Sequence, residues 1–312
     1  MAEKFVESVP NISEGRREEV VERVIEALMS VDGVYLLDAS SDSDHNRSVI
    51  TFAGAPEAAA EAAFRLAKEA ARLIDLNRHE GGHPRMGATD VLPFVPLSGA
   101  SMDDCADLAR RVGRRIGDEL RIPIYLYERA ASRPERRNLA DVRRGQFEGL
   151  REAIGKDPER SPDFGPERIH PTAGATAVGA RQFLIAYNVN LQSEDVHLAR
   201  RIAGTIREKG GGLPGVKAMG LYLAEQRCAQ VSMNLVDFTR TGIERVYGEI
   251  EKLAAEAGVE VRESELIGLM PQAAYTDGLE ERVKLRDFTP ESVVETRLER
   301  MRAAGLRRWR ED

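Results

Sequence analysis

The chain has 312 residues, of which 42% are hydrophobic and 31% charged, and its formal net charge is −7. This composition excludes a disordered chain and provides enough apolar sequence for one large domain or two of ordinary size. The acidic balance argues against general nucleic-acid binding, because a nucleic-acid partner needs a basic face to neutralise its phosphates.

The cysteines and the apolar runs bear on where the protein works. Cys105 and Cys228 stand alone, without a spacing that would pair them in a disulfide or a zinc site. No apolar run is long enough to span a bilayer, so we expect no membrane contact. A reducing compartment follows from this cysteine usage, and we predict a cytoplasmic protein.

The first half of the chain predicts alternating strands and helices. Apolar periodicity indicates strands at residues 5–9, 34–37, 49–52, 91–95 and 122–127, and helices at 20–28, 56–74 and 103–120. Pro93 interrupts the fourth of these strands, which favours an edge position or a bulge there. The order β-α-β-β-α-β, followed by one more helix and strand, is typical of a ferredoxin-like layer with helices on one face of a mixed sheet.

The second half repeats this order after a connector. A charged helical stretch at 139–152 leads into residues 156–171, which are rich in proline, aspartate and glycine. Strands are then predicted at 183–191, 216–223, 229–238 and 259–261, and helices at 195–208 and 242–257. We therefore predict an α/β (α+β) fold of two tandem ferredoxin-like βαββαβ layers, residues 1–180 and 181–312, that face each other across a ligand groove. The second includes a charged tail after Asp277.

The segment RHEGGHPRMGATD, residues 78–90, is the first candidate site. Its glycines let the backbone approach a ligand, and Pro84 stiffens the position after His83. A histidine can accept and donate a proton near neutral pH, and Arg85 can bind an anion. The alternative is that His79 and His83 are structural loop residues. A zinc site on the two is not expected, because glycine and proline break the helix that their spacing needs.

A second polar cluster is DASSDSDHNR, residues 38–47, in the loop between two predicted strands. Asp, Ser and Asn side chains supply local hydrogen bonds, so a solvated turn is one interpretation. The other is the polar wall of a pocket in which Arg47 faces a carboxylate. The acids lack the central glycine and terminal glutamate of an EF-hand calcium loop.

A third segment, PDFGPERIHPTAGATAVGAR at residues 162–181, combines three prolines with three glycines. It predicts a stiff, irregular stretch that is either a domain linker or a loop that clamps a ligand, with His170 exposed on it. Its context matches neither a Walker phosphate loop nor a dinucleotide fingerprint.

Together these segments resemble the formiminotransferase family, in the same order and along nearly the whole chain. A lone HPRMG would be weak evidence, whereas the ordered set is specific. The matching stretches are VESVPNISEG (6–15), DHNRSVITFAG (44–54), RHEGGHPRMGATDVLPFVPL (78–97), YLYERAA (125–131), NLADVRRGQFEGL (138–150), PDFGP (162–166), GATAVGARQFLIAYNVNL (174–191), VSMNLVDF from residue 231 and SELIGLMP from residue 264.

The resemblance implies a homodimeric enzyme of histidine catabolism and one-carbon metabolism, with the folate held between two subdomains. The reaction it implies converts N-formimino-L-glutamate and tetrahydrofolate into 5-formimino-tetrahydrofolate and L-glutamate. The catalytic histidine of the family carries over onto His83. The folate-binding stretch carries over onto ten consecutive residues, which are Gly165, Pro166, Glu167, Arg168, Ile169, His170, Pro171, Thr172, Ala173 and Gly174.

The remaining site residues are our own inference from the chemistry. Arg47 and Arg85 suit the substrate carboxylates, and Asp38 is a possible supporting acid. Family members often have a second aspartate where this chain has Ser40. No metal is expected. We also expect that a bulky residue in place of Gly174 weakens folate binding and leaves the fold intact.

Two other functions stay open at this point. One is formyl transfer from N-formylglutamate, which would use the same folate geometry. The other is a folate-binding relative without catalysis. The chain stops where bifunctional family members continue into a cyclodeaminase, so we do not expect release of ammonia from the formimino-folate.

Overall fold

The computed structural model of the protein describes residues 3–309. These divide into two compact units, the first formed by residues 3–181 with 301–309 and the second by residues 182–300. The predicted α/β fold with two sheets is confirmed. The predicted second domain, residues 181–312, differs from this division at its end, because the described tail residues pack on the first unit.

The first unit is built on one mixed sheet, in the strand order β3, β4, the pair β1 and β2, β5, β7 and β6. β1 and β2 are two pieces of one interrupted strand, since both pair with β4 and with β5. β5, β7 and β6 run parallel to one another. The strands are β1 (Val6–Ser8), β2 (Asn11–Ile12), β3 (Val34–Asp42), β4 (Arg47–Gly54), β5 (Thr89–Pro96), β6 (Ile124–Glu128) and β7 (Thr176–Ala180).

Three longer helices cover this sheet, and their sequences explain why they form. The first helix buries five apolar residues that repeat at helical spacing, namely Val20, Val21, Val24, Ile25 and Leu28. Ser101 and Asp104 form a capping box at the start of the third. The helices of this unit are α1 (Glu18–Met29), α2 (Pro56–Leu73), α3 (Met102–Arg115, continued by a π-helical turn at Ile116–Leu120), α4 (Leu139–Val142) and α5 (Gln146–Ala153), with 3₁₀ turns at Pro134–Arg136 and Pro158–Arg160.

Two strands of this sheet correct the sequence analysis. β7 was expected to be irregular, but its small residues form a fully buried strand between β5 and β6. An edge position for Pro93 is also wrong, because β5 is internal. Ser8 pairs with Phe94 and Asn11 with Val91, so Pro93 lies opposite the break between β1 and β2. An interruption of the partner strand accommodates a residue without an N–H group.

The second unit has the predicted βαββαβ order. Its antiparallel sheet follows the order β11, β8, β10, β9, and one face of it packs against the two longer helices. The strands are β8 (Ile185–Leu191), β9 (Val216–Leu223), β10 (Cys228–Leu235) and β11 (Val261–Ile267). The helices are α6 (Val196–Ile206), α7 (Ile243–Glu256), α8 (Leu279–Arg282) and α9 (Val294–Ala303), with 3₁₀ turns at Glu208–Gly210, Gln272–Ala274 and Pro290–Ser292.

The C-terminal tail returns to the edge of the first sheet. The Leu36 N–H donates to the Arg307 carbonyl at 2.8 Å, and the Trp309 N–H donates to the Leu36 carbonyl at 2.9 Å. The guanidinium of Arg307 donates to the Met29 carbonyl at 2.9 Å, which satisfies a backbone acceptor at the end of α1. The tail therefore covers edge strand β3, which would otherwise present unpaired backbone groups.

Candidate active site

His83 lies in the loop between α2 and β5, residues 74–88, which we call the His83 loop. Its side chain is 14% exposed, and its Nε2 atom is 3.7 Å from Oδ2 of Asp90. That distance is longer than a hydrogen bond. Nε2 is buried and has no hydrogen-bond partner among the described residues. The imidazole is thus close to a carboxylate, and its Nε2 atom makes no hydrogen bond to the described residues.

Asp90 is placed beside His83 by an irregularity in β5. Asn11 of β2 pairs with Val91, whereas the next residue, Ile12, pairs with Thr89, so Asp90 is the extra residue of a β-bulge. A bulge redirects the side chain of its extra residue. Asp90 is only 1% exposed, and its Oδ1 accepts the backbone N–H of Met86 at 2.8 Å.

Two arginines complete the cluster from different elements. Arg143, directly after α4, donates its Nη2 hydrogen to Oδ2 of Asp90. Arg47, the first residue of β4, donates from Nη1 to Oδ1 of Asn11 at 3.2 Å. The Nε atoms of Arg47 and Arg143 are buried without a hydrogen-bond partner among residues 3–309. Buried donors rarely stay unpaired, so these atoms need an acceptor from a bound ligand or from water.

Burial and charge set the protonation of this cluster. Burial lowers the pKa of His83, the Asp90 carboxylate opposes that change, and the guanidinium charges of Arg47 and Arg143 add to it, with a lowered pKa as the result. Burial alone would raise the pKa of Asp90, but Arg143, His83 and the Met86 N–H lower it further than burial raises it. At neutral pH the site therefore holds an uncharged imidazole beside an ionised carboxylate.

The other two residues proposed from the His83 loop have partners within the protein. Arg85 donates two parallel hydrogen bonds to Glu148, at 2.7 and 2.9 Å, and a third from Nε to Nδ1 of His79 at 3.2 Å. Nε2 of His79 donates to the Asn46 carbonyl at 2.8 Å. His79 and Arg85 thus fasten the loop to its neighbours. The two arginines that keep a buried N–H for a ligand are Arg47 and Arg143.

The cluster at residues 38–47 divides between strand and turn. Asp38 lies on β3 opposite Thr51 of β4. Two strands, β4 and the interrupted strand β1–β2, separate it from β5, which carries Asp90. Asp42 accepts hydrogen bonds from the backbone N–H groups of Asp44 and His45, both at 2.9 Å. Its Oδ2 is also 2.6 Å from Nδ1 of the His45 ring. Asp42 therefore organises the turn, and the acid that the structure places beside His83 is Asp90.

The segment from Gly165 to Gly174 is fastened next to the His83 loop. Its end forms a turn in which Nδ1 of His170 accepts the N–H groups of Thr172 and Ala173, at 3.3 and 3.0 Å. The Ala173 carbonyl accepts the Ala88 N–H at 2.9 Å. Burial lowers the pKa of His170. His170 is part-buried, not an exposed loop residue as expected, because it closes this turn.

Gly174 packs too closely against the His83 loop for any side chain. A Cβ atom there would lie 2.3 Å from the Met86 carbonyl oxygen and 2.7 Å from a Leu76 methyl group, and its φ is +70°. The expectation that a bulky residue leaves the fold intact is therefore wrong. Gly174 serves the close approach of two backbones.

No group of three or more His, Cys, Asp or Glu residues among those described could hold a metal ion. Cys105 and Cys228 are buried and free, and burial raises the pKa of the Cys105 thiol to about 12. Within residues 3–309, no helix is both long and apolar enough to cross a membrane.

Sequence reasoning missed Asp90, Arg143 and Asn11. An acid inside the otherwise apolar strand TDVLPFVP was a usable signal for Asp90, because a buried carboxylate needs a partner. Arg143 carried no such signal, since it is one of several arginines in a charged stretch and lies 53 residues from Asp90 in the chain.

The fold and the site define an α/β protein of two units, with a buried histidine–aspartate pair flanked by two arginines. Two sequence models match it: "Formiminotransferase domain, N-terminal subdomain" over residues 5–181, and "Formiminotransferase domain" over residues 186–301. The chain belongs to the formiminotransferase family.

Curated relatives agree with this assignment. The chain is 47% identical to a glutamate formimidoyltransferase of Streptococcus pyogenes serotype M1, over 91% of this chain and 95% of the relative. It is 46% identical to a glutamate formimidoyltransferase of Thermoplasma acidophilum, over 95% and 98%. It is 45% identical to the formimidoyltransferase-cyclodeaminase of Rattus norvegicus, over 88% of this chain and 51% of that protein.

Proposed function

We propose that the protein transfers the formimino group from N-formimino-L-glutamate to tetrahydrofolate, giving 5-formimino-tetrahydrofolate and L-glutamate. The observation that carries the proposal is the buried His83, with a lowered pKa and an unpartnered Nε2, beside the ionised Asp90. Membership of the formiminotransferase family and the names of the relatives support the substrates.

The reaction needs one group that both accepts and donates a proton. The folate nitrogen attacks the formimino carbon, a C–N bond forms, and the adduct is tetrahedral. His83 accepts the proton of the attacking nitrogen, because its lowered pKa leaves the imidazole unprotonated at neutral pH. The same proton then passes to the glutamate nitrogen, the original C–N bond breaks, and glutamate leaves as an amine. The ionised Asp90 stabilises the imidazolium between the two steps.

The arginines suit the carboxylates of the substrates. Formiminoglutamate carries two carboxylates and the folate carries a glutamyl tail. Arg47 and Arg143 each keep a buried Nε–H without a partner in the described chain. A guanidinium binds a carboxylate through parallel hydrogen bonds, which orients the donor as well as holding it. We therefore assign substrate carboxylate binding to Arg47 and Arg143, and not to Arg85, whose guanidinium is paired with Glu148.

The folate is proposed to border the Gly165–Gly174 stretch. The end of that stretch is bonded to the residues that follow His83, so a folate lying on it would be near the imidazole. The sequence-based prediction that the folate also contacts the second unit stays a prediction, as do the homodimer and the cytoplasmic location. The free, buried cysteines are compatible with a reducing compartment.

Formyl transfer is the second candidate function. Attack on a formyl carbon produces an oxyanion, and the guanidinium charges of Arg47 and Arg143 near His83 would stabilise it. The two donors are therefore to be compared on the same protein.

The test is an assay of purified protein with tetrahydrofolate and either N-formimino-L-glutamate or N-formylglutamate, followed by the change in folate absorbance. We expect turnover with the formimino donor at a higher kcat/KM than with the formyl donor. Turnover with the formyl donor alone would replace the proposed reaction by the second candidate. Folate binding without turnover of either donor would indicate a non-catalytic relative.

A further inference from the structure

Three loops of the first unit meet at Asn46, the last residue of the turn between β3 and β4. Its side chain is buried, its Oδ1 accepts the Gly15 N–H at 2.9 Å, and its Nδ2 donates to the Glu80 carbonyl at 2.9 Å. Its own carbonyl accepts the His79 Nε2 hydrogen at 2.8 Å. Asn46 thus joins the loop before α1, the β3–β4 turn and the His83 loop.

The bonds of His79 extend this junction to the other side of His83. With Nε2 donating to Asn46, Nδ1 carries a lone pair and accepts the Arg85 Nε hydrogen at 3.2 Å. Arg85 is in turn held by Glu148 of α5 through two hydrogen bonds. The loop is therefore fixed at residues 79–80, before His83, and at Arg85, two residues after it.

The backbone of the His83 loop also lies directly on the turn. A Cβ atom at Gly81 would be 2.3 Å from the His45 carbonyl oxygen, and the Gly82 N–H donates to the Asp44 carbonyl at 3.1 Å. This close contact leaves no room for a shift of the loop toward the turn. Movement away from it has to break the bonds of Asn46.

We propose that Asn46 is a positioning residue for the transfer reaction, holding the His83 loop so that the imidazole stays beside Asp90. The inference rests on the function proposed for His83, and Asn46 acts through Glu80 and His79 without touching the substrates. Catalytic side chains need this support, because a displacement of about 1 Å can cost about 100-fold in rate.

Asparagine meets two requirements at this position. Its φ is +49°, in the left-handed region that Asn, Asp and Gly tolerate better than other residues. Its amide supplies an acceptor for Gly15 and a donor for Glu80 in one short side chain. Asn46→Asp keeps the backbone preference and the acceptor but loses the donor. Asn46→Gly relaxes the backbone and removes both bonds.

The experiment combines steady-state kinetics with an NMR titration of the histidine rings. We expect Asn46→Asp and Asn46→Gly to lower kcat by about 10- to 100-fold and to change the KM for tetrahydrofolate by less than about twofold. The charged groups that face His83 are Arg47 from β4, Asp90 from β5 and Arg143 after α4. A loosened loop admits water, so the His83 pKa should rise toward its ordinary value of about 6.5.

The matched control is Ser43→Ala in the same turn, where the side chain is exposed. It should leave kcat and the His83 titration as in the wild type. His79→Gln keeps a donor for the Asn46 carbonyl but has no acceptor at the Nδ1 position that Arg85 uses, so it should shift both readouts in the same direction by less than Asn46→Gly.

Two results would overturn the proposal. One is a wild-type kcat and His83 titration in Asn46→Asp; the other is a rate loss that disappears once kcat is corrected for the folded fraction. Because the NMR titration needs no turnover, it separates this inference from the proposed function. If the wild type transfers no formimino group but the His83 pKa still rises in Asn46→Gly, which adds no charge beside the ring, the function fails and the support of the His83 loop by Asn46 stands.

Discussion

The two units of the chain have the same order of four strands, and each has a β-bulge at the same position of that order. The residue at the bulge differs between them. Four strand positions follow one order in both: β3, β4, β1 with β2, and β5 in the first unit, where β7 and β6 continue the sheet, and β9, β10, β8 and β11 in the second. In both units, the second residue of the fourth strand in this order lies at a register shift. This residue is Asp90 in β5 and Arg262 in β11. Asp90 is 1% exposed, whereas the Arg262 side chain is 45% exposed.

The difference lies in what surrounds the bulge. Around Asp90, buried nitrogens of His83, Arg47 and Arg143 have no partner among the described residues. In the second unit, the buried polar residues on the sheet face opposite α6 and α7 bond to one another. Gln230 donates to Asn190 and to Glu265, both at 2.9 Å. The bulge thus belongs to the shared topology, and the proposed chemistry depends on the loops that converge on it in the first unit.

The largest expected effect is that of His83→Ala. Transfer should fall by about 100- to 10,000-fold, because the reaction loses its acid–base group. The melting temperature should barely move, since Nε2 of the buried His83 ring has no hydrogen bond among the described residues to lose. His79→Ala should reduce turnover less. Turnover of both variants is to be measured with folate affinity determined separately, and near-normal rates in His83→Ala would make His45 or an acid of residues 38–44 the leading candidate.

Asp90→Asn should have the next largest effect, about 10- to 100-fold in kcat/KM, as expected for a residue that orients a catalytic group. The carboxylate raises the pKa of His83, so its removal should lower that pKa further and move the acidic limb of the pH profile to lower pH. In the wild type, the midpoint of that acidic limb should already lie below about pH 6.5. A limb that moves to higher pH in the variant would contradict this account of the site.

The main effect of Gly174→Ala should be on the stability of the fold and not on the transfer rate. The left-handed backbone and the close Met86 carbonyl together predict a loss of about 1–3 kcal/mol in the free energy of unfolding. Chemical denaturation measures this directly, with Gly149→Ala as the control because a Cβ atom there meets nothing within 4 Å. Equal stability of the two variants would show that the contact between Gly174 and the His83 loop is dispensable.

The smallest expected effect is that of Arg262→Ala, the counterpart of Asp90 in the second unit. Its side chain is 45% exposed, donates a hydrogen bond to the Gln226 carbonyl at 3.3 Å and forms an ion pair with Glu263 at 3.9 Å. Stability should stay within about 0.5 kcal/mol of the wild type, and the transfer rate should be unchanged. A rate loss comparable to that of Asp90→Asn would mean that both bulges serve the reaction.

Regular elements were predictable from the sequence because their residues bury one face at a fixed period. α1 follows this rule, and so do the alternating apolar residues of β8 and β10. β7 does not, because its residues are small. A neighbouring strand requires a glycine in it, since a Cβ atom at Gly179 would lie 2.5 Å from the Tyr127 ring. That constraint appears only once the two strands are side by side.

The candidate site was predictable only where one segment carried the signal. His83 stood out because glycines and a proline flank it, and the family resemblance gave it a role. Asp90 and Arg143 depend on a bulge and on a contact between distant segments, which no local pattern encodes. The sequence makes Arg85 as suitable as Arg47 for binding a substrate carboxylate. Only the structure shows that the Arg85 guanidinium is paired with Glu148.

The tail on β3 makes the second unit an insertion within the first. Arg307 contacts the Val34 carbonyl across 273 positions of sequence. During synthesis from the N-terminus, the edge of β3 stays open until residues 307–309, which follow the second unit in sequence, have left the ribosome. An open strand edge invites wrong pairing and aggregation. Completion of the first unit is therefore a late folding event, although most of its residues are made first.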